Sequence, residues 1–193
     1  MKLKSPEQYG YVVKNGICLF QKGPLSQWWG GFAGQSGSFI PPGSDHVFNC
    51  SEQFMMATKA TLMNDFETAD KILAEKNPSK HKDLGRQIKN FDSALWDKLK
   101  FSTVYLGNYY KFTQNGDLQD FILMLPDNIV FAEAAPWDKI WGIGLDLDDP
   151  RALNQDTWQG TNLLGEAITA VHRVLTRQLD HIEYLHELRH KRN

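Results

Sequence analysis

The apolar residues of this chain change their period at Ser51, and that change constrains the fold more than any other feature. From Ser51 on they recur at helical spacing; ahead of it they sit in short runs between loops. Ser51 can cap the segment EQFMMATKATLM, whose Glu52 in the first turn suits the helix dipole. Further helices are predicted from Asp65 to about Lys76, from Pro78 after an Asn77 cap, and from near Ser93 toward Phe112. GDLQDFILML gives a shorter one, and a long helix starts at about Thr161. Before Ser51, YGYVVKNGICLFQ sets two apolar runs about Asn15-Gly16, a hairpin signal, and HVFNC reads as a short strand. NIVFAEA is the persuasive late strand. The expectation is an α+β fold: a helix-dominated single domain over residues 1–193, with a small N-terminal β element and a long C-terminal helix from about 161.

A chain of 193 residues, 41% hydrophobic and 23% charged, can bury a substantial core as one domain. Its net charge of −2 excludes a strongly basic nucleic-acid coat and leaves room for a local basic groove. No apolar run is long enough to cross a bilayer, and MKLKSPEQYGYVV lacks the apolar centre of a secretion signal. Cys18 and Cys50 have no metal or redox spacing, which fits a reducing, intracellular and cytoplasmic setting.

The stretch AEAAPWDKIWGIG is harder to place on a core element or in a solvent loop, because it combines Glu133, Asp138, Trp137 and Trp141. It is either a half-buried edge with polar exceptions or the wall of a pocket. The Gly/Pro/Ser-rich segment from Gly23 to Ser44 reads as a long loop, and loops of that length are often functional. It brings Trp28, Trp29 and Gly30-Gly31 close in sequence to Glu52, a combination of aromatic walls, bare backbone and carboxylate suited to a base or sugar. Glu52 and Lys59 share a helix face, two turns apart; taken alone they read as a surface pair on a core helix. In DTWQGTNLLG, Trp158, Gly160 and Asn162 precede the last helix. The start of that helix is either a phosphate site or a cap with Trp158 as a packing anchor.

Two pattern matches carry little. HELRH, from His186 to His190, has the spacing of a zinc motif, but His181 points off that face and no third ligand follows, so a solvated helix tail is the better account. WGIG lacks the strand-turn-helix setting of a phosphate loop and reads as a turn. No metal and no cofactor is expected.

Taken in order, PLSQWWGGF, SEQFMMATKA, LGRQIKNF, Trp96, VFAEAAPWDKIWGIG and WQGTNLLG resemble the NADAR family, also called YbiA-like proteins, over roughly residues 17 to 175. The first motif departs from the family's phenylalanine-rich form with Leu25 and Trp28-Trp29, and the loop from Leu145 to Asp156 looks longer than in compact members. The resemblance implies a YbiA-like fold and hydrolysis of N-glycosidic bonds. Some members of the family act on riboflavin-pathway intermediates; others remove ADP-ribose from guanine bases and oppose DarT-type toxins. It also implies a pocket holding Trp28, Trp29, Gly30, Arg86, Trp96, Glu133, Trp141, Gly142, Trp158, Gly160 and Asn162, with Trp137 as packing.

Cleavage of a ribosyl C1–N bond passes through an oxocarbenium-like state that a carboxylate stabilises, while an acid assists the leaving base. Glu52 and Asp138 are the expected carboxylates, their two roles left open. Lys59, matching the family's lysine, is the expected nucleophile of a Schiff-base route, and Arg86 with the start of the last helix is expected to hold a diphosphate. The expected substrate is ADP-ribosylated guanine in DNA or RNA. The alternatives are riboflavin intermediates or a non-catalytic ADP-ribose module, against which the retained Glu52, Lys59 and Asp138 argue.

Overall fold

The computed structural model describes residues 4–190, and among them every side chain but those of 185–188 and 190. His186 and His190 of the zinc-like pattern therefore lie outside the described side chains. Strands β1 (Val12–Lys14) and β2 (Ile17–Phe20) form the expected hairpin, with Val12 opposite Leu19. Its two turn residues, Asn15 and Gly16, both take positive φ, 54° and 73°, as a tight hairpin of this hand requires. The late strand β3 (Val130–Glu133) adds in parallel to β2, so the small sheet is mixed and β2 is central and buried throughout. HVFNC does not form a strand. Phe39 and Phe48 exchange one pair of backbone hydrogen bonds, and Pro41-Pro42, which lack N–H groups, follow where a ladder would continue.

Helix α1 (Ser51–Leu62) is the central element, packed by α2 (Phe66–Ala74), α3 (Pro78–Gly85) and α4 (Ser93–Thr113). Ser51 is its first residue rather than its cap: Cys50 holds the cap position, and the Ser51 hydroxyl donates to the Gly107 carbonyl. Asp65 and Asn77 cap α2 and α3 through Thr68 N–H and Ser79 N–H, with Pro78 at the start of α3 where its missing N–H costs nothing. Helices α5 (Gly116–Leu123) and α6 (Leu163–His190) close the far side, α6 lying against α4 and β3. Phe20, Phe39, Phe112, Phe121 and Phe131, all fully buried, fill the core between sheet and helices. No described helix is long and apolar enough to cross a membrane.

Candidate functional site

A cavity of about 1090 Å³ opens between α1, α3, the loop after β2, the N-terminal turn Pro6–Tyr9 and the connection from β3 to α6. Glu52 of α1, Glu133 at the end of β3, and Asp138 supply its carboxylates beside Trp28, Trp29 and Trp141. Lys82, Asp83 and Arg86 come from α3 or its end.

Several contacts hold this wall in place. Asp138 accepts hydrogen bonds at one oxygen from Ile140 N–H and Trp141 N–H, at 3.0 and 2.8 Å, which folds the loop and sets Trp141. Asn162, in a left-handed conformation, accepts from Glu133 N–H at 3.1 Å and donates to Phe131 O at 2.9 Å, fixing the strand end that carries Glu133. Under the tryptophan loop lies the fully buried Lys111, whose Nζ donates to the Pro24 and Ser26 carbonyls at 3.0 and 3.1 Å. Burial brings its ammonium down to about 7.

The electrostatics centre on two glutamates. Burial pushes Glu52 up to about 7; the Asp138 charge adds to that rise, while Lys82, the Trp28 side chain and Lys59 oppose it. Glu133 is pushed up to about 8, first by burial, then by Asp138 and Glu52, against the pull of Lys82. One face of Glu133 stays open to the cavity even though protein surrounds its carboxyl. Glu52 Oε1 is buried with no hydrogen-bond partner among the described residues. Both carboxyls are thus brought toward neutral pH, where a protonated one can donate to a leaving group and an ionised one can face positive charge.

The expected site residues divide into two sets. Trp28, Trp29, Glu52, Arg86, Glu133, Asp138 and Trp141 line the cavity. Lys59, Gly30, Trp96, Gly142, Trp158, Gly160 and Asn162 do not. Lys59 Nζ donates to Gly85 O at 3.0 Å and lies over the Phe91 and Trp96 rings, 4.5 and 5.8 Å from their centroids, so it ties α1 to the end of α3 and the start of α4. Burial lowers its pKa and the Glu52 charge partly restores it. Gly30, at φ 101°, packs on the Asn49 and Gly37 backbone. Gly160 and Gly142 let two loop segments touch: a Cβ on Gly160 would run into the Gly142 carbonyl.

Two other expectations change. Three first-turn N–H groups of α6 are taken rather than left for a diphosphate: Leu163 and Leu164 donate to the Ile140 and Trp141 carbonyls and Glu166 to the Asn162 carbonyl. Trp137 is not packing: it is 75% exposed, at the cavity wall. Trp158 packs beside Ile17, Leu19 and Ala132 and donates its indole N–H to Ala152 O at 2.9 Å. Trp158→Ala is therefore expected to lower the melting temperature and leave ligand affinity unchanged. The stability loss should fall below the ~3–5 kcal/mol of a fully buried tryptophan, since Trp158 is half-buried. A weakened ligand with an unchanged melting temperature would return Trp158 to the pocket.

Sequence reasoning missed Lys82, an amine that lines the cavity and whose charge acts on both glutamates, although a signal was present. Ser79, Lys82, Asp83 and Arg86 repeat at three and four residues, one face of α3, and all four line the cavity. Gln8, Tyr9, Lys22 and Gln35 also line it, brought there by folding with no local pattern to announce them.

Fold and site define a helix-dominated α+β domain built around an acid-lined, tryptophan-walled cavity. The NADAR domain family model matches residues 19–176, and the chain belongs to the NADAR family. Among curated relatives, Protein irg-1 of Caenorhabditis elegans is 42% identical over 134 residues, 68% of this chain and 63% of that protein. N-glycosidase R617 of Acanthamoeba polyphaga mimivirus is 42% identical over 121 residues, 63% of this chain and 71% of that protein. The chain thus spans less than two thirds of the length of the irg-1 protein. The NMR structure of the E. coli protein YbiA shares the fold, with a TM-score of 0.66, 18% identity, and coverage of 90% of this chain and 93% of that one.

Proposed function

We propose that this protein is an N-glycosidase that removes ADP-ribose from guanine bases of DNA or RNA. The observation that carries the glycosidase reading is the pair Glu52 and Glu133, raised together to about 7 and about 8 in one cavity. The name of the mimivirus relative, an N-glycosidase, supports the same reaction class. When the C1–N bond breaks, the protonated carboxyl gives its proton to the leaving base nitrogen, and the ionised one faces the positive charge at C1. Asp138, with one oxygen bonded to the loop, contributes its charge and the placement of Trp141. Lys22 and Lys82 both line the cavity, and Lys82 is the one whose charge acts on both glutamates; it is the amine assigned to any attack on C1, whereas Lys59 is engaged at Gly85 O.

The cavity volume supports the larger substrate. About 1090 Å³ lies just above the usual span of small-molecule sites, roughly 300–1,000 Å³, and suits a ligand of dinucleotide size. The test is product analysis with an ADP-ribosylated guanine oligonucleotide and with ribosylamino pyrimidine intermediates of riboflavin synthesis, side by side. Release of ADP-ribose from the oligonucleotide is the expected result. Turnover of the pyrimidines alone would replace the substrate and keep the reaction; turnover of neither would count against the glycosidase.

A further inference from the structure

We propose a phosphate subsite on the N-terminal wall of this cavity, built from Gln8, Lys22 and Gln35; it rests on the glycosidase reading for where the reacting bond lies. The wall is continuous. Tyr9 meets Trp29 edge-on at 5.6 Å between ring centroids, and Trp29 leads to Gly30, whose N–H donates to Gln35 Oε1 at 3.1 Å. Gly23, next to Lys22, lies against Tyr9: a Cβ there would sit 3.1 Å from the ring. Gln8, beside Tyr9, accepts at Oε1 from Ser5 N–H at 3.0 Å. Each amide oxygen is thus engaged by backbone, and the NH₂ is the end left for a ligand.

These three donors come from separate segments, and the cavity's carboxylates, Glu52, Asp83, Glu133 and Asp138, come from α1, α3 and the β3 side. The lining from residues 8–35 thus holds Lys22 and no carboxylate, whereas Lys82 and Arg86 on the α3 wall stand among carboxylates, Arg86 paired with Asp83 at 3.4 Å. A ligand that matches both walls is electron-poor where its bond breaks and rich in anionic acceptors at its other end. Phosphate oxygens meet that demand, being acceptors only and carrying the charge that Lys22 complements. At the rival anchor, the start of α6, the Leu163 and Leu164 N–H groups are bonded to the Ile140 and Trp141 carbonyls. Gln8 also precedes residue 19, where the family match begins, so part of this subsite belongs to a segment outside that match.

Calorimetry on the full chain with ribose 5-phosphate and with ribose tests the proposal. The phosphate should tighten binding by about tenfold or more, the scale of a few charge-assisted hydrogen bonds. Gln35→Glu and Gln8→Glu each keep the oxygen that accepts a backbone N–H and replace the NH₂ with an anionic oxygen. Each variant should lose the preference for the phosphorylated sugar with its melting temperature unchanged, and Lys22→Gln should reduce it. Equal affinity for the two sugars, no binding of either, or variants that keep the preference would each overturn the subsite. Base release is assayed separately: its failure counts against the glycosidase and leaves the measured phosphate preference standing.

Discussion

Glutamine in place of Glu52 is expected to lower turnover by roughly 10²–10⁴-fold while making the folded protein more stable above neutral pH. The two effects share one cause. Burial raises Glu52 from an ordinary 4.5 to about 7 and Glu133 to about 8, so the folded chain holds protons that the unfolded chain releases above 4.5. Their contribution to stability is full below 4.5 and is lost as pH rises through about 7 and about 8. Glu52→Gln removes one of these ionisations. Urea unfolding at about pH 8 should show the variant more stable than the wild type, by at most roughly 3 kcal/mol, with the gap closing near about pH 5. Activity should follow a bell-shaped profile whose alkaline limb reflects ionisation of the remaining protonated glutamate. A variant with near wild-type turnover, or one whose stability tracks the wild type at both pH values, would remove the carboxyl pair from the chemistry.

The second large effect separates two lysines. During turnover, borohydride should trap a ribosyl product on Lys82. Lys82 gives a proton to a carboxylate, and its nitrogen bonds to C1 as the base departs with a proton from a glutamic acid; the ring C1–O bond then breaks, the ring oxygen taking a proton from that nitrogen, and water hydrolyses the resulting iminium to free the lysine. Lys82→Met should abolish the adduct and cost roughly 10² or more in rate. Because Lys82 holds both glutamates down, the same change should also move the alkaline limb to higher pH. Lys59→Met should instead lower the melting temperature, since it breaks the bond to Gly85 O and the contacts with Phe91 and Trp96, and the adduct should persist. Intact-mass spectrometry with peptide mapping reads both variants. An adduct on Lys59 would reverse the assignment, and turnover without any adduct would leave direct attack by water on C1.

Local chemistry made some of this legible from the sequence. The hairpin at Asn15-Gly16 follows from residues that tolerate positive φ, and α2 and α3 start where Asp65 and Asn77 can accept from backbone N–H. The tryptophans and carboxylates of AEAAPWDKIWGIG suggested a wall because such residues are costly in a plain core or a plain loop, and Glu133, Asp138 and Trp141 do line the cavity.

Tertiary structure decided which of those polar groups remain available. Asn162 and Gly160 belong to a conspicuous motif, yet Asn162 is bonded to Glu133 N–H and Phe131 O, and Gly160 is pressed on the Gly142 carbonyl. Leu163 and Leu164 at the start of α6 have their N–H groups taken by Ile140 and Trp141, and Lys59 turns to Gly85 while Lys82 lines the cavity and its charge acts on both glutamates. A hydrogen bond satisfied across 29 or more residues of sequence, like that of Asn162 to Glu133, leaves no trace in local spacing. So residue types and periods determined the elements and the inventory of chemistry, and long-range packing determined which groups were consumed in holding the walls and which were left for a ligand.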